Sequence, residues 1–388
     1  MRNRIFKVEK LVHGGMGIVR DASHAIFVPF SIPGEDIRIR IEGGSKRKIE
    51  ATLTEVLSAS PDRVEPPCPL FGECGGCQLQ HISYPAQLKY KNEILAENLA
   101  WIAKIRPQLN PFVPSPSHYN YRSRIKMHVR GGRAGFFARR KAKFLPVEYC
   151  NIAHDSLNRA IPTLAPLIGE EKPETIEIVR EEDFIAAYVK TGRRMKNYRR
   201  DSASAGRWAP ASGLKFAFQQ VNPEQNEALR AMIKANVSDM RPETVIELYA
   251  GAGNLTEAIL PHSSRVIAVE ADEAAVEIGR DKFREMKDER LRFLNMNADV
   301  FLESAIKEGM KPDLILLDPP RTGAKEAVDG IMKLAPAHII YVSCDPATLA
   351  RDLKSLLSHG YIMQSITPLD MFPQTSHIES VVVLSREV

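Results

Sequence analysis

From Thr244 onward the chain alternates short β-type runs with helical ones, and this alternation limits the fold more than any other feature. The strand-like runs are Thr244–Tyr249, Arg265–Glu270, Leu291–Asn295, Pro312–Asp318, Ala337–Cys344, Tyr361–Pro368 and Ser380–Ser385. Helix-like stretches beginning near Leu255, Ala274, Val300, Ala324 and Ala347 separate most of them. Strands joined by helical crossovers pair in parallel, so the spacing predicts a doubly wound α/β sheet. In such a sheet, ligands settle outside the carboxyl ends of the strands.

Those ends carry a consistent set of groups. The first strand runs into Gly251-Ala-Gly253-Asn254, where a missing Cβ lets a ligand approach the backbone. The second ends at Glu270, an acid placed to take two ribose hydroxyls. Asn297 and Asp299 follow the third, Asp318-Pro-Pro-Arg321 the fourth and Ser343-Cys344-Asp345-Pro346 the fifth. A dinucleotide fits this set poorly. The third glycine of the dinucleotide pattern is replaced by Thr256, and no basic residue lies in the turn. A nucleoside-like ligand without phosphate, such as S-adenosylmethionine, fits better. Cys344, at a strand's carboxyl end, reads as an exposed nucleophile, with the helix starting near Ala347 as a means of lowering its pKa.

The first half of the chain has a different character. Residues 1–57 read as short strands broken at Gly14-Gly15 and Gly43-Gly44, with a period-two strand over Asp36–Glu42, which suggests a small barrel. The Pro- and Gly-rich stretch 61–77 excludes regular structure. A helical period runs from Tyr84 to about Ile105, and residues 118–218 are mixed and strongly basic, with a domain boundary expected near Phe218. Residues 1–218 carry a net charge of +13 and the remainder −8, a division that points to a polyanion held by the first half. The segments therefore read as 1–57 barrel, 58–218 central domain and 219–388 catalytic domain. No stretch reaches the ~18 apolar residues of a membrane helix, and the amino terminus has no signal-peptide core. A cytoplasmic monomer without a membrane partner is expected.

Four of the five cysteines lie in the basic half. Cys68, Cys74 and Cys77 cluster, and Cys150 stands apart. Structural zinc sites usually take two close pairs, so three clustered thiolates and one distant one favour an iron–sulfur cluster over zinc. From Arg122 to Lys143 there are nine Lys or Arg and no Asp or Glu, with Tyr119, Tyr121, Phe136, Phe137 and Phe144 in or beside the run. Cations that track phosphates, interleaved with rings that stack on bases, suit single-stranded RNA. Arg122, Arg124, Lys126, Arg139 and Arg140 are the expected RNA contacts. A second basic cluster spans Lys190 to Arg200.

With these motifs the chain resembles the RNA uracil-C5 methyltransferase family over nearly its whole length. The likeness includes a TRAM-type barrel at about 1–57 and Cys68-Pro-Leu-Phe-Gly-Glu-Cys74-Gly-Gly-Cys77-Gln-Leu-Gln-His81 with Cys150, similar to that family's [4Fe–4S] motif. It extends through Phe218-Gln-Gln220-Val-Asn222, Glu247-Leu-Tyr-Ala-Gly251-Ala-Gly253-Asn254, Asp318-Pro-Pro-Arg321, Val342-Ser-Cys344-Asp-Pro and His377-Ile-Glu379-Ser380. The resemblance implies a TRAM-like barrel, a central α/β domain with the cluster, and a Rossmann-like S-adenosylmethionine-dependent catalytic domain. It implies that Gln220, Tyr249, Gly251, Asn254, Glu270, Asn297 and Asp318 hold the cofactor. Cys344 would be the nucleophile adding to C6 of uracil and Glu379 the base removing the C5 proton. The substrate implied is ribosomal RNA, more than transfer RNA. Two positions depart from the family pattern, Tyr249 where Phe is common and Asp345 where Asn is common. The second sets a carboxylate beside the thiolate, opposing its formation unless Asp345 points away. Amino-group methylation would leave Cys344 and Glu379 idle, and an iron–sulfur RNA-binding protein without methyl transfer would leave the strand-end set unused.

Overall fold

The computed structural model describes residues 4–21, 24–45, 48–139, 143–201, 207–211, 213–215, 217, 219–284 and 289–386. Two compact units make up the chain. One comprises residues 1–94, 117–213 and 372–376, the other residues 95–116, 214–371 and 377–388. The boundary expected at Phe218 falls on a residue outside those described.

The first unit holds two sheets. β1 (Ile5–Lys7), β2 (Lys10–Val12), β3 (Met16–Asp21), β4 (His24–Pro29), β5 (Asp36–Ser45) and β6 (Lys48–Ser58) form one, in the order β1-β5-β6-β4-β3-β2. Val19, Ile26, Val28 and Ile37 pack on its inner face at no more than 1% exposure; along the period-two strand burial falls off from Ile37 through partly buried Ile39 to Ile41, which is 40% exposed. Gly14 and Gly15, at φ +92° and +71°, make the turn between β2 and β3. Gly43-Gly44 do not break the chain: they lie inside β5, where the register shifts against β6 between Ile41 and Gly43. Glycine in a strand marks a bulge as readily as a turn.

The helix expected from Tyr84 is α1 (Tyr84–Asn98), which begins in the first unit and ends in the second. A π-type turn over Leu99–Ala103 follows, and Lys104 at φ +62° stops it. The second sheet contains β7 (Arg124–Arg130), β8 (Arg133–Phe137), β9 (Phe144–Pro146), β10 (Thr175–Arg180), β11 (Phe184–Thr191), β12 (Arg194–Asp201) and β13 (Ala209–Pro210). Its order is β13-β12-β11-β10-β7-β8-β9 and every pairing is antiparallel. The short helices α2 (Asp155–Ala160) and α3 (Ala165–Glu171) supply Leu157, Leu167 and Ile168 to the same core as Ile125, Ile176 and Ile185. The central region is thus an antiparallel sheet carrying two helices, not the alternating α/β arrangement expected. Tight turns at Gly131-Gly132 and Gly192 explain it, because a hairpin joins only antiparallel neighbours.

The second unit runs α4 (Pro223–Met240), β14 (Thr244–Leu248), α5 (Thr256–Ile259), β15 (Arg265–Glu270), α6 (Glu273–Arg284), β16 (Leu291–Asn295), α7 (Ala298–Lys307), β17 (Leu314–Leu317), α8 (Lys325–Leu334), β18 (His338–Ser343), α9 (Pro346–Ser358), β19 (Tyr361–Leu369) and β20 (Glu379–Arg386). The sheet order is β16-β15-β14-β17-β18-β20-β19. β14 to β18 are parallel, and their buried residues, such as all four of β17, are what a sheet covered on both faces requires. The last strand departs from the expected parallel pairing. β20 lies antiparallel between β18 and β19. No helix separates β19 from β20, so no crossover is available to turn the chain back into parallel register.

α4 has no counterpart among the helices read from the sequence. Asn222 caps it by accepting from the Gln225 N–H at 3.2 Å, and Pro223 fills its first turn. One buried carboxylate ties the turn after β17 to the helices behind it. Asp352 on α9 accepts from the Tyr341 hydroxyl and the Ala324 N–H, both at 2.8 Å, and from Arg351 Nε at 2.8 Å.

Candidate active site

The sheet order reverses at β14, with β15 on one side and β17 on the other, and a ligand crevice opens at such a switch point. The turn leaving β14 is built for close approach. Tyr249, Gly251 and Gly253 all have positive φ, +62°, +56° and +85°. A Cβ on Gly251 would meet nothing within 4 Å, so open space lies over it, whereas one on Gly253 would sit 2.4 Å from the Phe283 ring. The turn is therefore open above and floored below by Phe283 and Phe293, whose rings stack 6.3 Å apart.

Each expected cofactor residue has a definite place. Glu270 ends β15 with one oxygen accepting from the Gly251 N–H and the other from the Asp272 N–H, both at 2.8 Å. A carboxylate has lone pairs beyond those two bonds, so this ties it to the turn without exhausting it. Asn297 stands at the start of α7, exposed, and makes no cap hydrogen bond. Asn254 exchanges two amide hydrogen bonds, at 2.8 and 2.9 Å, with Asn226 of α4. Half of its hydrogen-bonding capacity is thus spent inside the protein. Gln220 is half-buried just ahead of α4, and Tyr249 is half-buried in the strained turn, with burial pushing its hydroxyl up to about 12. Asp318 follows β17. It keeps some surface open, but dense packing around the carboxylate pushes its pKa up to about 7.

Cys344 and Glu379 lie at one end of the β18–β20 ladder. Its last pair is Ser343 with Ser380, Cys344 and Glu379 are the next residue on each strand's side of it, and the Glu379 carboxylate is close enough to act on the Cys344 thiol. Cys344 is half-buried and Glu379 only 2% exposed. Burial is the main cause pushing the Cys344 thiol up to about 12, reinforced by Glu379 and Asp318 and opposed by Arg321. Glu379 is itself raised well above the usual carboxylate range by burial and by Asp318, with Arg321 again opposing. In the free protein this cluster therefore favours its protonated forms. Arg321 is the cation that counters this, and its Nη2 lies 3.0 Å from His377 Nε2.

The expected activation of Cys344 by a helix N-terminus is not what the structure supplies. Asp345 caps α9, its Oδ1 accepting from the Ala347 and Thr348 N–H groups at 3.0 Å. The dipole end is consumed by that side chain. The same turn explains why Asp345 is the least of the groups raising the thiol. The sequence reading left Arg321 and His377 without roles, and it missed Asn226 altogether. A basic residue after Asp318-Pro-Pro was the available signal for the first.

Cys68, Cys74, Cys77 and Cys150 gather in the first unit. Cys77 feels the charge of the other three, and burial pushes its thiol up to about 12. Cys74 and Cys150 are also raised by burial, and the Gly76 N–H points at Cys74 Sγ from 3.4 Å. Among the described residues, no three His, Cys, Asp or Glu side chains form a group able to hold a metal ion as they stand. Of the expected RNA contacts, Lys126 is exposed on the outer face of β7. Arg124 on the same face is paired with Glu177, and Arg122 donates to the Arg124 carbonyl at 2.9 Å. Arg139 lies over the Phe30 ring, and Arg140 lies outside the described residues. Among the described residues, no helix is long and apolar enough to cross a membrane.

Comparison with known proteins bears on this site. Residues 212–387 match the tRNA (uracil-5-)-methyltransferase family, and residues 1–61 match the TRAM domain of tRNA (uracil(54)-C(5))-methyltransferase. The chain is 31% identical to an RNA methyltransferase of Halalkalibacterium halodurans, over 97% of this chain and 95% of that protein. It is also 31% identical to the 23S rRNA (uracil(1939)-C(5))-methyltransferase RlmD of Alkalilimnicola ehrlichii, over 97% and 95%. The corresponding enzyme of Alcanivorax borkumensis is 30% identical, over 98% and 96%. Among solved structures, the Pyrococcus abyssi tRNA (uracil-54, C5)-methyltransferase in complex with S-adenosyl-L-homocysteine superposes with a TM-score of 0.73 at 23% identity. It covers 98% of this chain and 99% of that one.

Glu247 of β14 gives this unit a measurable pH signature. It is 2% exposed, accepts from the Thr256 hydroxyl at 2.5 Å, and burial pushes its pKa up to about 8 from the ordinary 4.5. The folded state thus holds its proton longer than the unfolded one. Stability from this group is fully present below about pH 4.5 and is lost as pH rises through 8. Glu247→Gln never ionises, so it should melt with the parent near pH 5 and above it at pH 8. Equal shifts at both pH values in thermal scans would contradict this account.

Proposed function

We propose, on the premise that this chain belongs to the RNA uracil-C5 methyltransferase family, that Cys344 is its nucleophile and Glu379 its base. The observation that supports this reading is the β18–β20 ladder, whose last pair, Ser343 with Ser380, leaves Cys344 and Glu379 as the next residues at that edge of the sheet, with Glu379 among the groups acting on the thiol. S-adenosylmethionine supplies an electrophilic methyl group, and Gln220, Tyr249, Gly251, Asn254, Glu270, Asn297 and Asp318 would hold it.

The chemistry follows from what uracil lacks. C5 is too poor a nucleophile to take a methyl group unaided. Addition of the Cys344 sulfur to C6 forms an S–C bond and moves the ring's electron pair into an enolate with density on C5. Once C5 carries the methyl group, Glu379 takes the C5 proton, and the pair left behind expels Cys344 as thiolate. Burial biases the Cys344 thiol and the Glu379 carboxyl toward their protonated forms in the free protein, so the thiol must first give up its proton to solvent and Glu379 must be ionised before it can take the C5 proton. Arg321 is the resident cation that favours this release. The target base must also leave any stack it occupies, at a cost of a few kcal/mol in a duplex and less in a loop.

Ribosomal RNA is the proposed substrate, supported by the RlmD relatives that align from end to end. Mapping 5-methyluridine in total RNA, with and without this protein, should reveal one or more ribosomal positions that depend on it. Loss confined to transfer RNA would reassign the substrate. For the chemistry, Cys344→Ala should bind S-adenosylmethionine yet transfer no methyl group to RNA. Glu379→Gln should accumulate a protein–RNA adduct that survives denaturing electrophoresis. Substantial turnover by the first variant, or no adduct with the second, would remove the covalent route.

Cys68, Cys74, Cys77 and Cys150 are proposed to hold a [4Fe–4S] cluster. Four half-buried thiols, with Cys77 within reach of the charge of the other three, fit such a group, because a coordinated thiol is deprotonated and its charge is met by metal. Zinc would require the four sulfurs within roughly 4 Å of one another, given Zn–S distances of about 2.3 Å. When bound, the cluster would hold the loop at 68–77 to Cys150. Methyl transfer moves no net electrons, so no redox step is assigned to it. Protein purified without oxygen should carry about four iron and four sulfide per chain, and Cys77→Ser should lose both. One zinc per chain instead would overturn the assignment.

A further inference from the structure

Phe30 follows β4 with φ +63°, in the left-handed region that bulky side chains rarely enter. Strain of this kind persists only where the surroundings impose it. Its ring meets Phe71 edge-on, centroids 5.0 Å apart at 68°, and His81 at 6.0 Å and 82°. Phe71 and His81 lie 5.6 Å apart, tilted by 31°. These rings, with Leu53, Arg63 and Pro66, border a cavity of about 360 Å³, near the lower end of the range for small-ligand sites. Arg139, from the basic run, sits 5.6 Å over the Phe30 ring.

Two features of the wall select the occupant. The Arg63 guanidinium is already spent, donating to Glu35 at 2.5 and 2.8 Å and to the Phe30 carbonyl at 2.8 Å. It is therefore not available as a free cation for phosphate. His81 is only 1% exposed, and neither ring nitrogen completes a hydrogen bond. A backbone group of Ser31 comes near enough to favour the imidazolium slightly. Burial and the Arg63 charge outweigh it and lower the ring's pKa to about 3. At neutral pH the ring is uncharged and offers one donor and one acceptor, both idle. Buried polar atoms normally find partners, so an unpaired set in a cavity wall calls for one. An aromatic slot, one neutral donor–acceptor pair and a guanidinium in the stack match a nucleobase better than a phosphate or an aliphatic side chain.

We propose that this cavity takes one unstacked base of the substrate RNA, at a nucleotide other than the one methylated, stacked on Phe71 and met at its edge by His81. The proposal rests on the reading of this chain as an RNA methyltransferase. None of the strand-end residues lines the cavity, so its base is distinct from the reacting one.

The test uses the full-length protein and a synthetic ribosomal RNA stem–loop that the wild-type chain methylates. Each nucleotide outside the methylated uridine is replaced in turn by an abasic residue, and binding is measured for wild type and for Phe71→Leu. Phe71 is partly exposed, so leucine should keep the fold, which S-adenosylmethionine affinity and melting temperature would verify. At one position the abasic RNA should lose about tenfold in affinity for wild type, and Phe71→Leu should show the same loss with intact RNA. The two changes together should cost no more than either alone. 4-Thiouridine at that position should cross-link to residue 71 or 81. Additive losses at every position, or cross-links only elsewhere, would overturn the proposal. Failure of the wild-type protein to methylate any RNA would instead overturn the reading beneath it.

Discussion

The antiparallel insertion of β20 between β18 and β19 is the constraint on which the candidate chemistry depends. Parallel strands would deliver only one side chain each to the carboxyl edge of the sheet. By running backwards, β20 starts at that edge, and its first residue is Glu379. The pairing of Glu379 with Leu369 of β19, and of Ser380 with Ser343 of β18, then holds its backbone next to the strand end that precedes Cys344. A slip of one residue would turn Glu379 to the opposite face of the sheet. The connection before β20 can therefore vary in length, while the strand itself cannot gain or lose a residue without disarming the site.

This placement has an electrostatic cost. Glu379, Asp318 and Cys344 share a poorly solvated corner, and Glu247 is buried in the strand that leads to it. Burial raises all four, so the free enzyme stores protons where the reaction needs anions. Arg321 works in the other direction for Cys344 and Glu379. Such frustrated groups are common where a fold gives up stability for reactivity.

Much of the second unit could be read from the residues alone, because its central strands are near-continuous buried apolar runs. β15 and β16 begin and end where the apolar runs do. What escaped was set by tertiary context. The direction of β20 depends on a missing crossover, which no period in the strand itself records. α4 escaped because its buried members, Leu229, Ile233 and Val237, form only a narrow stripe, and its stop is Arg241 rather than glycine. The fate of the α9 N-terminus turned on one aspartate whose side chain curls back to its own helix. The basic run likewise gave charge but not availability, since Arg124 is neutralised by a glutamate on a neighbouring strand.

The floor beneath the Gly253 turn carries its own consequence. Phe293 lies against two glycines at once, Gly253 of the turn and Gly279 of α6, and Phe283 presses on the first. Four positions thus share one fixed volume. In related chains a side chain larger than hydrogen at 253 or 279 should be met by a smaller ring at 283 or 293. These residues would then drift as a correlated set while the ligand-facing surface above them stays unchanged.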